Sequence, residues 1–211
     1  MNKYHRYLNL PFEIKKPDEF NYMTDHVRHI NLDNTYDCSE LNNWLKKIGI
    51  EIEIVEAFYT PPGGGLPIHA DYIKLDDMCK INITWGPKEG TIRWWNIING
   101  DPIVISSLQS LREKLDNGFE YQGITSKDVD TYSVIEEKIL IANQEDCELI
   151  YEANTNHPSL VNTGALHSTY NPTTEGRWTL CFVLMKDNTT IKFDDAAELL
   201  KNYIGENNEN I

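Results

Sequence analysis

The sequence predicts a mainly β domain, a sandwich or barrel with helices outside it. Short runs rich in β-branched and aromatic residues recur between residues 50 and 185, and turn signals separate them. Composition supports a packed core: 40% of the 211 residues are hydrophobic and 10% aromatic. The length suits one domain over residues 1–211, with no internal repeat or low-complexity tract.

In chain order, residues 1–38 are mixed, and Pro11 and Pro17 break any long helix there. Ser39–Lys47 predicts a short helix with Ser39 as N-cap, lysines at its C-terminal end and Gly49 just beyond. Ile50–Tyr59 predicts a strand. Pro61–Gly65 follows, either as a lid beside a site or as a plain connection. Leu66–Leu75, Lys80–Trp85 and Thr91–Ile97 predict short strands, with Gly86–Gly90 as a hairpin turn between the last two. Residues 100–135 are polar and predict an insertion, with one helix at Ser107–Leu115. Further strands are expected at Lys138–Ala142, Glu148–Glu152, Ala165–Tyr170 and Trp178–Met185. The core thus spans about 50–186. A helical tail follows over 190–211, with a helix near Asp194–Tyr203 and a solvated acidic end at Glu206–Asn210.

The formal charge of −14 and the absence of a Lys/Arg cluster argue against duplex nucleic acid as a partner. No apolar run approaches the roughly 20 residues of a membrane span. Met1–Asn9 is polar, without a signal-peptide core. Cys38, Cys79, Cys147 and Cys181 form no CxxC pair, so neither a disulfide framework nor structural zinc is expected. A cytoplasmic setting is the expectation.

His69-Ala70-Asp71 sits on a predicted strand, where residues two apart share a face. The pair suits either one shared metal or a surface or capping role. His167 lies 167 − 71 = 96 residues further on, on another predicted strand. Two imidazoles and one carboxylate on one face of an octahedron are the donor set of non-haem Fe(II) oxygenases. Arg177 follows at 177 − 167 = 10 residues, and Thr179 shares its face. A guanidinium fork matches a carboxylate, and a threonine hydroxyl can add a hydrogen bond. His157 is the rival third ligand. His167 is preferred, because it alone combines a strand context with the arginine ten residues on.

This pattern, His69-Ala70-Asp71 with His167 and Arg177-Trp178-Thr179, resembles the Fe(II)/2-oxoglutarate-dependent oxygenase superfamily. The stretches YTPPGGGLPIHAD, KINITWG and NTGALHSTYNPTTEGRWTLCFVL are similar to its prolyl-hydroxylase and aspartyl/asparaginyl-hydroxylase-like branches. The resemblance implies a double-stranded β-helix, or jelly-roll, with Fe(II) between its two sheets. It implies His69, Asp71 and His167 as catalytic metal ligands. It also implies Arg177, Thr179 and Tyr59, ten residues before His69, as binders of the cosubstrate. The implied dioxygenase reaction couples O2 and 2-oxoglutarate to oxidation of a C–H bond, most simply hydroxylation. The substrate is a peptide side chain or a small molecule. Two other classes stand beside this: a cupin-like protein that binds metal and a small ligand without turnover, and a jelly-roll interaction module. The HxD step, rather than HxH, argues against a cupin.

Lys80, Asn82 and Thr84 share one strand face, opposite Ile81, Ile83 and Trp85. That polar face either enters the barrel, where Lys80 or Asn82 would touch 2-oxoglutarate, or meets solvent. Arg93-Trp94-Trp95 is either a substrate-facing patch or a core and edge pair. His5, His26 and His29 are expected at the surface.

Overall fold

The computed structural model describes residues 2–21, 23–25, 27–71, 78–106, 108–120, 125–127 and 139–205. Its elements are β1 (His5–Tyr7), β2 (Arg28–Asn31), α1 (Ser39–Lys46), β3 (Glu51–Thr60), β4 (His69–Ala70), β5 (Cys79–Trp85), β6 (Thr91–Ile97), β7 (Ile103–Ile105), α2 (Leu108–Asp116), β8 (Ile139–Ile141), β9 (Cys147–Asn154), β10 (Ser159–Asn162), β11 (His167–Tyr170), β12 (Arg177–Lys186), β13 (Thr189–Thr190) and α3 (Phe193–Leu199).

The strands form two antiparallel sheets. The first runs β1-β10-β5-β12-β3-β2, with β13 paired to β12; the second runs β7-β8-β4-β11-β6-β9. Strands β3, β4, β5 and β6 alternate between the sheets, and β9, β10, β11 and β12 do so again. This winding is the double-stranded β-helix, or jelly-roll, with three helices outside the sheets. It corrects one expectation. Gly86–Gly90 is not a hairpin turn, because β5 pairs with β10 and β12 while β6 pairs with β9 and β11. That segment instead carries the chain from one sheet to the other. A tight hairpin does join β12 to β13 through Asp187 and Asn188, at φ 53° and 61°, the conformation such two-residue turns need.

The period of two sorts the first sheet into unlike faces. Val55, Ala57, Tyr59, Ile81, Ile83, Trp178, Leu180 and Phe182 face outward into the main apolar core. Leu41, Trp44 and Leu45 of α1 and Phe193, Ala196 and Ala197 of α3 cover that face. Leu180 is fully buried there, and truncation to Ala would cost about 2–5 kcal/mol. The inward face is polar and carries Glu56, Lys80, Asn82, Arg177 and Thr179. The polar face of β5 therefore enters the barrel.

The helix expected at Ser39 begins there, but Ser39 is not its cap. The Asp37 carboxylate accepts the Ser39 N–H at 3.0 Å. The helix in the polar segment is α2, whose Leu111 packs with Ile105 and Ile141 of β7 and β8. Of the strand expected over Leu66–Leu75, His69–Ala70 is paired, and 72–75 lie outside the described residues. The acidic end at 206–210 and His26 also lie outside them. Short strands β1, β2, β7, β10 and β13 were not expected; β1, β2 and β7 lie at sheet edges. No helix among the described residues is long and apolar enough to cross a membrane. No disulfide joins any of the four cysteines.

Candidate metal centre

The pairing of β4 with β11 places His69 directly opposite His167, with ring centroids 4.4 Å apart. Asp71 follows β4, and its N–H donates to the Thr163 carbonyl at 3.0 Å. The donor atoms of His69, Asp71 and His167 all lie within 4.8 Å of one another. The two imidazoles are oriented alike. Nδ1 of His69 lies 2.7 Å from the Pro67 carbonyl, and Nδ1 of His167 lies 3.0 Å from the Ala165 carbonyl. A carbonyl only accepts, so each Nδ1 carries a proton and each Nε2 is the ring nitrogen available to a metal. The His69 Nε2 in turn lies 3.3 Å from Asp71 Oδ1.

Burial, to which the His69 ring beside it adds, pushes His167 down to about 3, so its imidazole is neutral at physiological pH. Burial alone would raise the Asp71 carboxyl. The Lys80 ammonium and the neighbouring imidazoles outweigh it and hold Asp71 well below the usual carboxylate range. Two imidazoles and one carboxylate are a donor set that suits Fe(II). The metal fits these residues.

The same cavity between the sheets is lined by Arg177, Thr179, Asn82 and Lys80. Arg177 is 1% exposed. Its Nη1 donates to Thr155 Oγ1 at 2.8 Å, and Thr155 donates on to the Gly90 carbonyl at 3.2 Å. Arg177 Nε has no partner, nor does Asn82 Oδ1. No carboxylate among the described residues pairs with Arg177. Burial lowers its guanidinium to about 10, still cationic at neutral pH. Gly90 makes room for it: a Cβ there would stand 1.5 Å from Nη1. Thr179 lies beside it and exchanges a 3.2 Å hydrogen bond with Thr84.

Lys80 differs from Arg177. Its ammonium is already held between Glu56 at 2.5 Å and Asp71 at 2.7 Å, and those carboxylates raise its pKa against the effect of burial. It is not free to take a ligand carboxylate.

Tyr59 is a correction. Phe58 and Thr60 line the cavity, so Tyr59, between them on β3, points to the opposite face. It is 2% exposed, belongs to the outer core and packs against Trp178, with ring centroids 5.1 Å apart. It cannot reach a cosubstrate in the cavity.

His157 lies outside the cluster, edge-on to Tyr7. His5 is fully buried rather than at the surface. His29 is also not a plain surface group: its Nε2 meets Glu56 Oε2 at 2.9 Å. Trp94 is fully buried and donates to the Asn162 carbonyl, whereas Arg93 pairs with Glu152 on the outer side of the second sheet. Glu56, His29, Thr155 and Gly90 had been missed. The available signal for Glu56 was its place in a central strand, on the same face as Phe58 and Thr60.

No protein-family profile matches the chain, and no curated protein matches it by sequence. Similarity to solved structures is distant. EvdMO1 aligns at 13% identity over 75% of this chain, which spans 35% of that protein's length, with a TM-score of 0.40. HygX from Streptomyces hygroscopicus, solved with nickel and 2-oxoglutarate bound, aligns at 12% identity over 82% of this chain and 75% of its own (TM-score 0.41). AviO1 from Streptomyces viridochromogenes Tue57 aligns at 11% identity over 89% and 76% (TM-score 0.39).

Proposed function

We propose that this protein is an Fe(II)- and 2-oxoglutarate-dependent dioxygenase that hydroxylates a peptide side chain or a small molecule. The observation that carries the reading is Arg177. A buried guanidinium without an anion is costly, so its place on the wall shared with the three metal ligands calls for an anionic ligand there.

In this reading His69, Asp71 and His167 hold Fe(II) through two Nε2 atoms and one carboxylate oxygen. Fe(II) supplies the redox chemistry by which O2 and 2-oxoglutarate yield succinate, CO2 and an oxidised substrate C–H bond. Arg177 binds the far carboxylate of 2-oxoglutarate with its two-pronged donor set, and Thr179 adds a hydroxyl. Asn82, with an unpartnered amide oxygen, lines the same chamber. The carbonyls of Pro67 and Ala165 orient the imidazoles.

Anaerobic Fe(II) and 2-oxoglutarate added to the protein should give a visible charge-transfer band, absent in Asp71→Ala. A folded wild-type protein that shows no band, or an Asp71→Ala protein that shows the same one, overturns the proposal. Ion binding without the band favours the non-catalytic cupin-like reading.

A further inference from the structure

We infer, on the strength of the metal reading above, that Glu56 and Lys80 are positioning residues: a buried charge relay that orients Asp71 and sets the charge a metal meets. The relay spans both sheets. Lys80 of β5 is 5% exposed, and its ammonium lies between two carboxylates, 2.5 Å from Glu56 Oε1 and 2.7 Å from Asp71 Oδ2. Glu56 of β3 turns its other oxygen, Oε2, to His29 at 2.9 Å. His29 stacks on Phe58 at 4.8 Å, and Phe58 also lies beneath the Lys80 ammonium at 5.8 Å. Glu56 and Lys80 stand on the two strands flanking β12, and Cys181 is opposite Glu56 in register.

Two consequences follow. Asp71 is divided between its neighbours: Oδ2 faces Lys80, while Oδ1 is 3.3 Å from His69 Nε2, on the metal side. An ammonium against Oδ2 disfavours chelation through both oxygens and so keeps Asp71 a one-oxygen ligand. The second consequence is electrostatic. Lys80 alone would cancel the charge of Asp71, the one anion in the ligand set, and would repel a divalent cation. Glu56 restores a net negative charge. In a buried site these charges act at low screening, so the carboxylate that never touches the metal governs its affinity.

The test is an anaerobic titration of Co(II) alone into wild type, Glu56→Gln, Lys80→Met and the double variant, following Co(II) absorption, with thermal denaturation of each. Glu56→Gln should weaken Co(II) binding on the order of a hundredfold, because it leaves Lys80 uncompensated beside Asp71. Lys80→Met should retain tight binding but change the Co(II) spectrum, because Asp71 loses the group that holds Oδ2. The double variant, which leaves no lone buried charge from the pair, should return to within about tenfold of wild type. Removing a second buried group then restores what removing the first took away, which a merely structural role does not do. Unchanged affinity in Glu56→Gln, or a folded double variant that binds more weakly than Glu56→Gln, overturns the relay. If Glu56→Gln does not fold, the double variant decides: failure to bind Co(II) while folded overturns it. A wild-type protein that binds no Co(II) overturns the metal reading itself, and the relay with it.

Discussion

Gly90 decides whether Arg177 has a place to lie. A methyl at Gly90 would overlap the guanidinium, 1.5 Å from Nη1 and 2.4 Å from Cζ. Gly90 is not at positive φ, so Ala is acceptable to the backbone and the clash falls on the arginine. Gly90→Ala is expected to weaken 2-oxoglutarate binding by about tenfold or more while Co(II) binding stays normal. Calorimetric titration of both ligands checks this, and a wild-type 2-oxoglutarate affinity would refute it. His5 gives a second prediction. Neither ring nitrogen has a partner, and the ring packs edge-on against Tyr7 at 4.6 Å. Burial, with Arg6 beside it, pushes its pKa from 6.5 to about 4. The unfolded chain therefore takes up a proton that the folded one refuses. Its stability contribution is intact above pH 6.5 and is lost as pH falls towards 4, by about 3 kcal/mol in all. His167 adds a slope of the same sign in metal-free protein. Urea denaturation at pH 7 and pH 4.5 should show a smaller pH effect in His5→Leu than in wild type; equal effects would contradict the assignment.

Among elements, the segment Pro61–Gly65 is a pinned connection rather than a lid. Gly63 N–H donates to Thr173 O, Asn171 N–H donates to Gly64 O, and Leu66 N–H donates to Thr169 Oγ1. Gly65 must be glycine, since a Cβ would meet the Thr169 carbonyl at 1.9 Å. Asn171, fully buried, ties both sides together. Its amide donates to Pro61 O at 3.1 Å and Glu175 O at 2.7 Å, and its Oδ1 accepts from Thr173 at 2.8 Å. Asn171→Ala leaves those groups without partners and should cost about 2–4 kcal/mol in urea denaturation. A loss below about 0.5 kcal/mol would show that the connection does not depend on it. Strand β6 was legible to the residue, since Thr91–Ile97 is rich in β-branched and aromatic side chains. Strands β1 and β2, of three and four residues, were not. Their pairing to β10 and β3 is long-range, and no local period marks so short a run. The Gly86–Gly90 turn was misread for a related reason: Gly and Pro mark a change of direction, but not which strand the chain pairs with next.

For the whole molecule, the governing fact is that the first sheet turns its apolar face outward to α1 and α3 and its polar face inward to the second sheet. Alternation in β5 showed two unlike faces; only the tertiary core that Ile81 and Ile83 share with α1 and α3 reveals which one is inside. The spacing of His69, Asp71, His167 and Arg177 was readable because histidine is rare in this chain, with six in all, and His69, His167 and Arg177 each fall on a strand. The role expected of Tyr59 failed because sequence distance does not say which way a strand side chain points, and one residue either way reverses it. The role of Glu56 escaped notice because its partners, Lys80 and His29, come from strands that are distant in sequence. Arg177 lines the same cavity as His69, Asp71 and His167. The direct test of its proposed cosubstrate role is titration of 2-oxoglutarate into anaerobic Fe(II)-loaded wild type and Arg177→Ala. Removing one partner of a buried charge pair costs about 2–5 kcal/mol, so the dissociation constant should rise roughly 30- to 3,000-fold, with Fe(II) binding near normal and only partial recovery in Arg177→Lys. An unchanged dissociation constant in folded Arg177→Ala would contradict a cosubstrate role for Arg177.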